Sequence, residues 1–260
     1  MASRSRRGPP VVVSESGGLR ALHIGGTAVQ SAMRLNDPYA LALDYTRCMM
    51  AFLLFHPEPR EALMIGLGGG SLAKFLHREL RSLRVRVIEI DPRVIAAARS
   101  HFHLPPDDAR LSVEIGCGAD ALAPECCDLL IVDGFLDETV PESLASPAFF
   151  DAASIALDEQ GALVMNLMDS DPRFDETLQH VEAAFGGAVL CMPALRDPNV
   201  LIFALKGAPA RIEWRALRER AAALEARLGL PFAQYVNALR AMNQHSEEEL
   251  FLVAQADAPQ

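Results

Sequence analysis

Three things are scarce in this 260-residue chain. Long apolar runs are missing: the longest, CMMAFLLF at 48–55, falls far short of the ~20 residues a membrane-spanning helix needs. A basic surplus is missing too. The formal net charge is −10, which argues against general nucleic-acid binding, because phosphates demand a cationic surface. It is compatible with a cationic substrate. Cysteines are few and unpatterned: Cys48, Cys117, Cys126, Cys127 and Cys191 make an odd count with no CxxC. That speaks against a disulfide framework or a zinc site and fits a reducing compartment. His101 and His103 have no acidic partner at metal-like spacing, so no metal is expected. The basic N-terminus, MASRSRRGPP, is followed only by VVV before polar residues return, too short for a signal peptide. The expectation is a cytoplasmic protein with no membrane or nucleic-acid partner.

What is present is a core and an alternation. Half the residues are apolar, enough for a sizeable interior. Residues 1–10 read as disordered. Across 11–35, VVVSE, LRALHIG and TAVQSAMRL are short segments parted by glycine turns, which predicts small antiparallel strands. Asn36-Asp37-Pro38 signals a turn, and 38–55 reads as a helix ended by His56-Pro57. These make an N-terminal segment of 11–59. From 60 to 210 strand-like and helix-like segments alternate. ALMIGL, VRVIEI, LSVEI, DLLIVD, ALVMNLM, AVLCMP and NVLIFAL are seven apolar strands, the last two spaced as a hairpin. Runs apolar throughout, with Pro92 placed to open a helix, imply an α/β doubly wound sheet covered on both faces. Residues 211–260 form a helical extension. Leu217, Ala221, Leu224 and Leu228 share a helix face ended by Gly229 and Pro231. A last helix is expected from Ser246, with Glu249 completing a capping box. These helices serve to cover the sheet or to pair two copies as a homodimer.

MIGLGGGSLAKFL, residues 64–76, joins the first of the seven strands to a helix. Gly66, Gly68, Gly69 and Gly70 let the backbone turn sharply and approach a ligand, while the helix offers unpaired N–H groups. Glu89 ends the next strand, where a carboxylate accepts both hydroxyls of a ribose. With Asp91 better placed as the helix cap, Glu89 is left for the ligand. Asp133 ends the fourth strand on the edge where ligands bind in such sheets. It is a candidate base, cation binder or loop anchor. A nicotinamide dinucleotide would account for the loop and Glu89. It would not account for Asp133 or the N-terminal strands, and no hydride-transfer constellation is visible.

The succession QSAMRL, DYTRCMM, HPEPREALMIGLGGGSLAKFL, VIEIDPRVI, EIGCGAD and CDLLIVDGFLDETVPESL resembles the spermidine synthase family, the polyamine aminopropyltransferases, over roughly 11–206. The resemblance implies a small N-terminal β domain and a seven-stranded Rossmann-like sheet of the class I methyltransferase type. It implies that Glu89 holds a ribose and that Gln30 lies near the nucleoside. Decarboxylated S-adenosylmethionine would be the co-substrate and a small amine the acceptor. Asp133 would accept the amine's proton, and Tyr45 would line the amine pocket. The family's glycine loop usually reads GGGDGG, and Gly69 stands at the aspartate position. Without that carboxylate, discrimination against intact S-adenosylmethionine should weaken. Cys117 stands where an aspartate usually meets the adenine amine, with Asp120 one turn on as a substitute. Leu136 stands where a second carboxylate follows Asp133, with Asp137 beside it on the amine side. The tyrosine expected near the sixth strand is absent from CMPALRDPNV. Two other readings stay open: an S-adenosylmethionine-dependent methyltransferase, and a non-catalytic nucleoside-binding protein of the same fold.

Overall fold

A computed structural model describes residues 9–135 and 139–252. Most of the N-terminal stretch expected to be disordered lies outside them. Val11–Ser16 (β1), Leu19–Ile24 (β2) and Ser31–Arg34 (β3) form a three-stranded antiparallel sheet. The first helix, Asp44–Met49 (α1), continues as a 3-10 turn over Met50–Leu54. It is shorter than the 38–55 expected. The Pro38 carbonyl accepts a hydrogen bond from Lys74 Nζ at 2.7 Å, which holds the preceding residues as a packed loop. The helix starts only where the Thr46 hydroxyl donates back to the Leu43 carbonyl at 2.7 Å.

Along the chain then follow Glu61–Ile65 (β4), Ser71–Glu79 (α2), Arg84–Glu89 (β5), Pro92–His101 (α3), Leu111–Ile115 (β6) and Cys127–Val132 (β7). After these come Pro147–Ala156 (α4), Leu157–Met168 (β8), Phe174–Ala184 (α5), Val189–Pro193 (β9) and Asn199–Leu205 (β10). The seven strands align in the order β6-β5-β4-β7-β8-β10-β9. β4 to β8 run parallel, while β10 is antiparallel to both its neighbours. The apolar runs reflect burial on both faces: all of β7 and β10 is buried. Met64 and Val87 face a core shared with α2 and α3, whereas Leu63, Ile65 and Val132 face one shared with α4 and α5. α3 opens as the sequence suggests. Asp91 Oδ1 accepts the Arg93 N–H at 2.9 Å, and Pro92 occupies the first turn.

The extension holds Arg211–Glu213 (β11), Trp214–Leu228 (α6), Phe232–Ala238 (α7) and Glu249–Phe251 (β12). Leu217 and Ala221 of α6, with Phe232 and Tyr235 of α7, join the same core as Leu190, Met192 and Phe203 of the sheet. The Asn243 amide takes both the N–H and the carbonyl of Cys191, so the tail covers the edge strand β9. α6 ends at Gly229 in a left-handed conformation (φ 67°). The helix expected from Ser246 does not form. The Ser246 hydroxyl accepts the N–H groups of Glu248 and Glu249, as a cap would, but the chain then pairs as β12 with β11. The backbone of β11 supplies a partner that a one-turn helix would lack. No described helix is long and apolar enough to cross a membrane.

Candidate active site

The sheet order reverses between β4 and β7. Strands β5 and β6 lie to one side, β8 to the other, so a crevice opens beyond the carboxyl ends of β4 and β7. The glycine loop fills its floor. Gly66 has φ 93°, and a Cβ there would fall inside the van der Waals shell of the Asp133 backbone carbonyl. Gly70 takes the left-handed N-cap position of α2 at φ 72°. Only glycine meets both demands without strain.

Over this floor lies a cavity of about 410 Å³, within the range of small-molecule sites. On one side it is lined by Gly66, Gly68, Glu89 and Cys117, with Gln30 reaching in from the β2–β3 turn. Glu89 is buried, and its two oxygens accept the N–H groups of Leu67 and Asp91, each at 2.9 Å. The carboxylate thereby ties the loop to the end of β5 and keeps lone pairs for a ligand. Burial raises its pKa, opposed by those backbone donors.

Asp133 and Tyr45 line the other side. The Tyr45 hydroxyl donates to Asp133 Oδ2 at 3.3 Å, and the Asn166 amide donates to Oδ1 at 3.0 Å. Asn199 fixes Asn166 by donating to its Oδ1 at 2.9 Å. Burial pushes the Asp133 carboxyl above its ordinary range, while the Asn166 and Tyr45 hydrogen bonds pull it down. Burial, then the Asp133 charge, raises the Tyr45 phenol well above its usual value, so the phenol remains the donor. A desolvated, hydrogen-bonded carboxylate of this kind is a better proton acceptor than a solvated one.

Other residues named from the sequence stand apart. Gly69 and Gly70 do not line the cavity. A Cβ on Gly69 would come 2.9 Å from both the Phe102 ring and Ser31 Oγ. Asp120 is exposed on a 3-10 turn over Ala119–Ala121, also outside the lining. Leu136 and Asp137 lie outside the described residues. Asn166, Asn199, Ser31, Ser71 and Asp197 line the cavity without having been anticipated. Asn166 carried a signal: it is the one polar residue inside the apolar run ALVMNLM.

The spermine/spermidine synthase domain matches residues 43–194. The chain belongs to the spermine/spermidine synthase family. A polyamine aminopropyltransferase of Chromobacterium violaceum is 37% identical over 246 residues, covering 94% of each chain. A probable spermidine synthase from Corynebacterium glutamicum shares the fold, with a TM-score of 0.68 and 19% identity over 96% of this chain and 95% of that one. Human methyltransferase-like protein 13, solved with S-adenosylhomocysteine, is 25% identical with a TM-score of 0.64, covering 72% of this chain and 93% of that chain. Family membership fits the seven-stranded sheet with its small N-terminal antiparallel sheet.

Proposed function

We propose that the protein is a polyamine aminopropyltransferase. It takes the aminopropyl group of decarboxylated S-adenosylmethionine and places it on a small amine. The placement of Asp133 carries this reading: its carboxylate is desolvated, oriented by Asn166 and Tyr45, and set in the same cavity as Glu89. Glu89 holds the ribose, and Gly66 and Gly68 of the glycine loop carry the nucleoside tail. Gln30 and Cys117 flank the nucleoside. The acceptor nitrogen attacks the carbon next to the sulfonium. The C–N bond forms as the C–S bond breaks, its electron pair neutralises the sulfur, and methylthioadenosine leaves. The proton released by the nitrogen passes to Asp133.

One observation favours a second donor. Gly69 carries no carboxylate, and Ser31 and Phe102 fill the space its Cβ would take. Position 69 therefore adds no repulsion against the carboxylate of intact S-adenosylmethionine, the donor of a methyl transfer on this fold. Intact S-adenosylmethionine therefore binds as a competitor.

Asp133→Asn tests the base. The expected result is a loss of turnover of ~10²- to 10⁴-fold, the span of a general base, with methylthioadenosine affinity unchanged. Equal losses of turnover and nucleoside affinity would contradict the role.

A further inference from the structure

Two hydrogen bonds cross between the first turn of α1 and the loop joining β9 to β10, one in each direction. Asp197 Oδ2 accepts the Tyr45 backbone N–H at 3.0 Å, and Asp44 Oδ2 accepts the Arg196 backbone N–H at 2.8 Å. Each side supplies a carboxylate to the other's main chain, across 152 residues of sequence. α1 needs such an anchor. It is only six residues long, and its N-cap, Leu43, makes no side-chain capping bond. A helix this short holds its place through tertiary contacts rather than its own propensity.

Asp44 is the more deeply set half of this clamp. It is 7% exposed, and its other oxygen accepts a hydrogen bond from Arg47 Nη2 at 3.1 Å. That guanidinium offsets the cost of burying the charge. Asp44 does not line the cavity, whereas its neighbour Tyr45 does. Any effect of Asp44 on the chemistry therefore passes through Tyr45. The Tyr45 phenol reaches Asp133 Oδ2 at 3.3 Å, already long for an O–H···O bond. A small movement of the α1 backbone breaks it.

We propose that Asp44 is a positioning residue for Asp133: by holding the Arg196 N–H it fixes the start of α1 against the hairpin loop and keeps the Tyr45 phenol within reach of the carboxylate. This rests on the reading of Asp133 as the base. The two ways in which Asp44 can influence Asp133 have opposite signs. Losing the phenol removes a donor that favours the ionised carboxylate, so the Asp133 pKa rises. Losing the Asp44 charge alone takes away a like charge, so the pKa falls. The remaining partner of Asp133, the Asn166 amide from β8, is the same in both cases, and Asp197 acts on Tyr45.

The experiment reads the Asp133 carboxyl directly, by NMR titration of protein with isotope-labelled aspartate, using Asp133→Asn to assign its signal. Asp44→Ala should raise the pKa by about one pH unit, the scale of a hydrogen bond to a charged group, and Tyr45→Phe should do the same. Combining the two should raise it no further, because both remove one contact. Asp44→Asn, which keeps an oxygen for the Arg196 N–H, should not raise it. Asp197→Ala opens the clamp from the loop side and should match Asp44→Ala; it carries the test where the buried Asp44 variant fails to fold. An unchanged or lowered pKa in these alanine variants, or additive rises in the combined variant, would overturn the positioning role. The titration needs no turnover. A wild type that forms no methylthioadenosine would contradict the proposed reaction while the titration still decides the clamp, and turnover in a protein whose alanine variants show no rise would overturn the clamp alone.

Discussion

The Tyr45 hydroxyl donates to Asp133 Oδ2 across 3.3 Å, while the Tyr45 backbone N–H is held by Asp197. One residue of α1 thereby orients the carboxylate at the end of β7 from a helix fixed to the β9–β10 loop. Three separate stretches of chain meet around the Asp133 carboxylate.

The pH dependence follows from that contact. Burial raises the Asp133 pKa, and the Asn166 and Tyr45 hydrogen bonds lower it. As the proposed base, Asp133 works only when ionised, so kcat should fall as pH drops through this raised value. Tyr45→Phe removes one of the lowering contacts. Its acid limb should move to higher pH in a kcat profile. A limb that stays in place or moves to lower pH would mean the phenol does not stabilise the anion.

Glu89 accepts two backbone N–H groups and faces the cavity. Glutamine has one oxygen, so its NH₂ would confront the Leu67 or the Asp91 N–H. Glu89→Gln should weaken methylthioadenosine binding by about tenfold or more, the cost of one charged hydrogen bond or greater, with a smaller effect on kcat at saturating donor. Titration calorimetry checks the first part and steady-state kinetics the second.

Gly66 combines φ 93° with contact against the Asp133 carbonyl. Gly66→Ala should therefore destabilise the fold by roughly 2–4 kcal/mol, the sum of a strained backbone and an overpacked contact. Denaturant unfolding would measure it. A loss under about 0.5 kcal/mol, the size of an ordinary surface substitution, would show that the loop relaxes easily.

Lys74 is fully buried in α2 and donates to the carbonyls of Pro38 and Phe102. Burial lowers its pKa to about 8. The unfolded chain keeps its proton to about pH 10.4. Between these values the unfolded state binds more protons, so the Lys74 contribution to stability rises with pH. The stability of wild type relative to Lys74→Met should grow from pH 8 to pH 10. A constant difference would mean the lysine titrates normally.

The seven strands were legible because sheets buried on both faces write unbroken apolar runs, and β7 and β10 are buried throughout. The placement of Glu89 and Asp133 beside the cavity was legible because each closes such a run. The placement of Asp197 was not, because it depends on a hairpin loop meeting α1, a contact across 152 residues. The Ser246–Glu249 pattern misled because a serine hydroxyl serves a turn before a strand as readily as a helix cap. Only the partner strand β11 decides between them. At Gly69 the sequence marks a missing acid, but not that Phe102 and Ser31 occupy the space.

The central claim is the reaction. The most direct measurement incubates the purified protein with putrescine and either decarboxylated or intact S-adenosylmethionine, then quantifies methylthioadenosine and S-adenosylhomocysteine by chromatography. The account predicts methylthioadenosine, equimolar with aminopropylated amine, from the decarboxylated donor alone. S-adenosylhomocysteine from the intact donor, with no methylthioadenosine from the other, would contradict it and make the protein a methyltransferase.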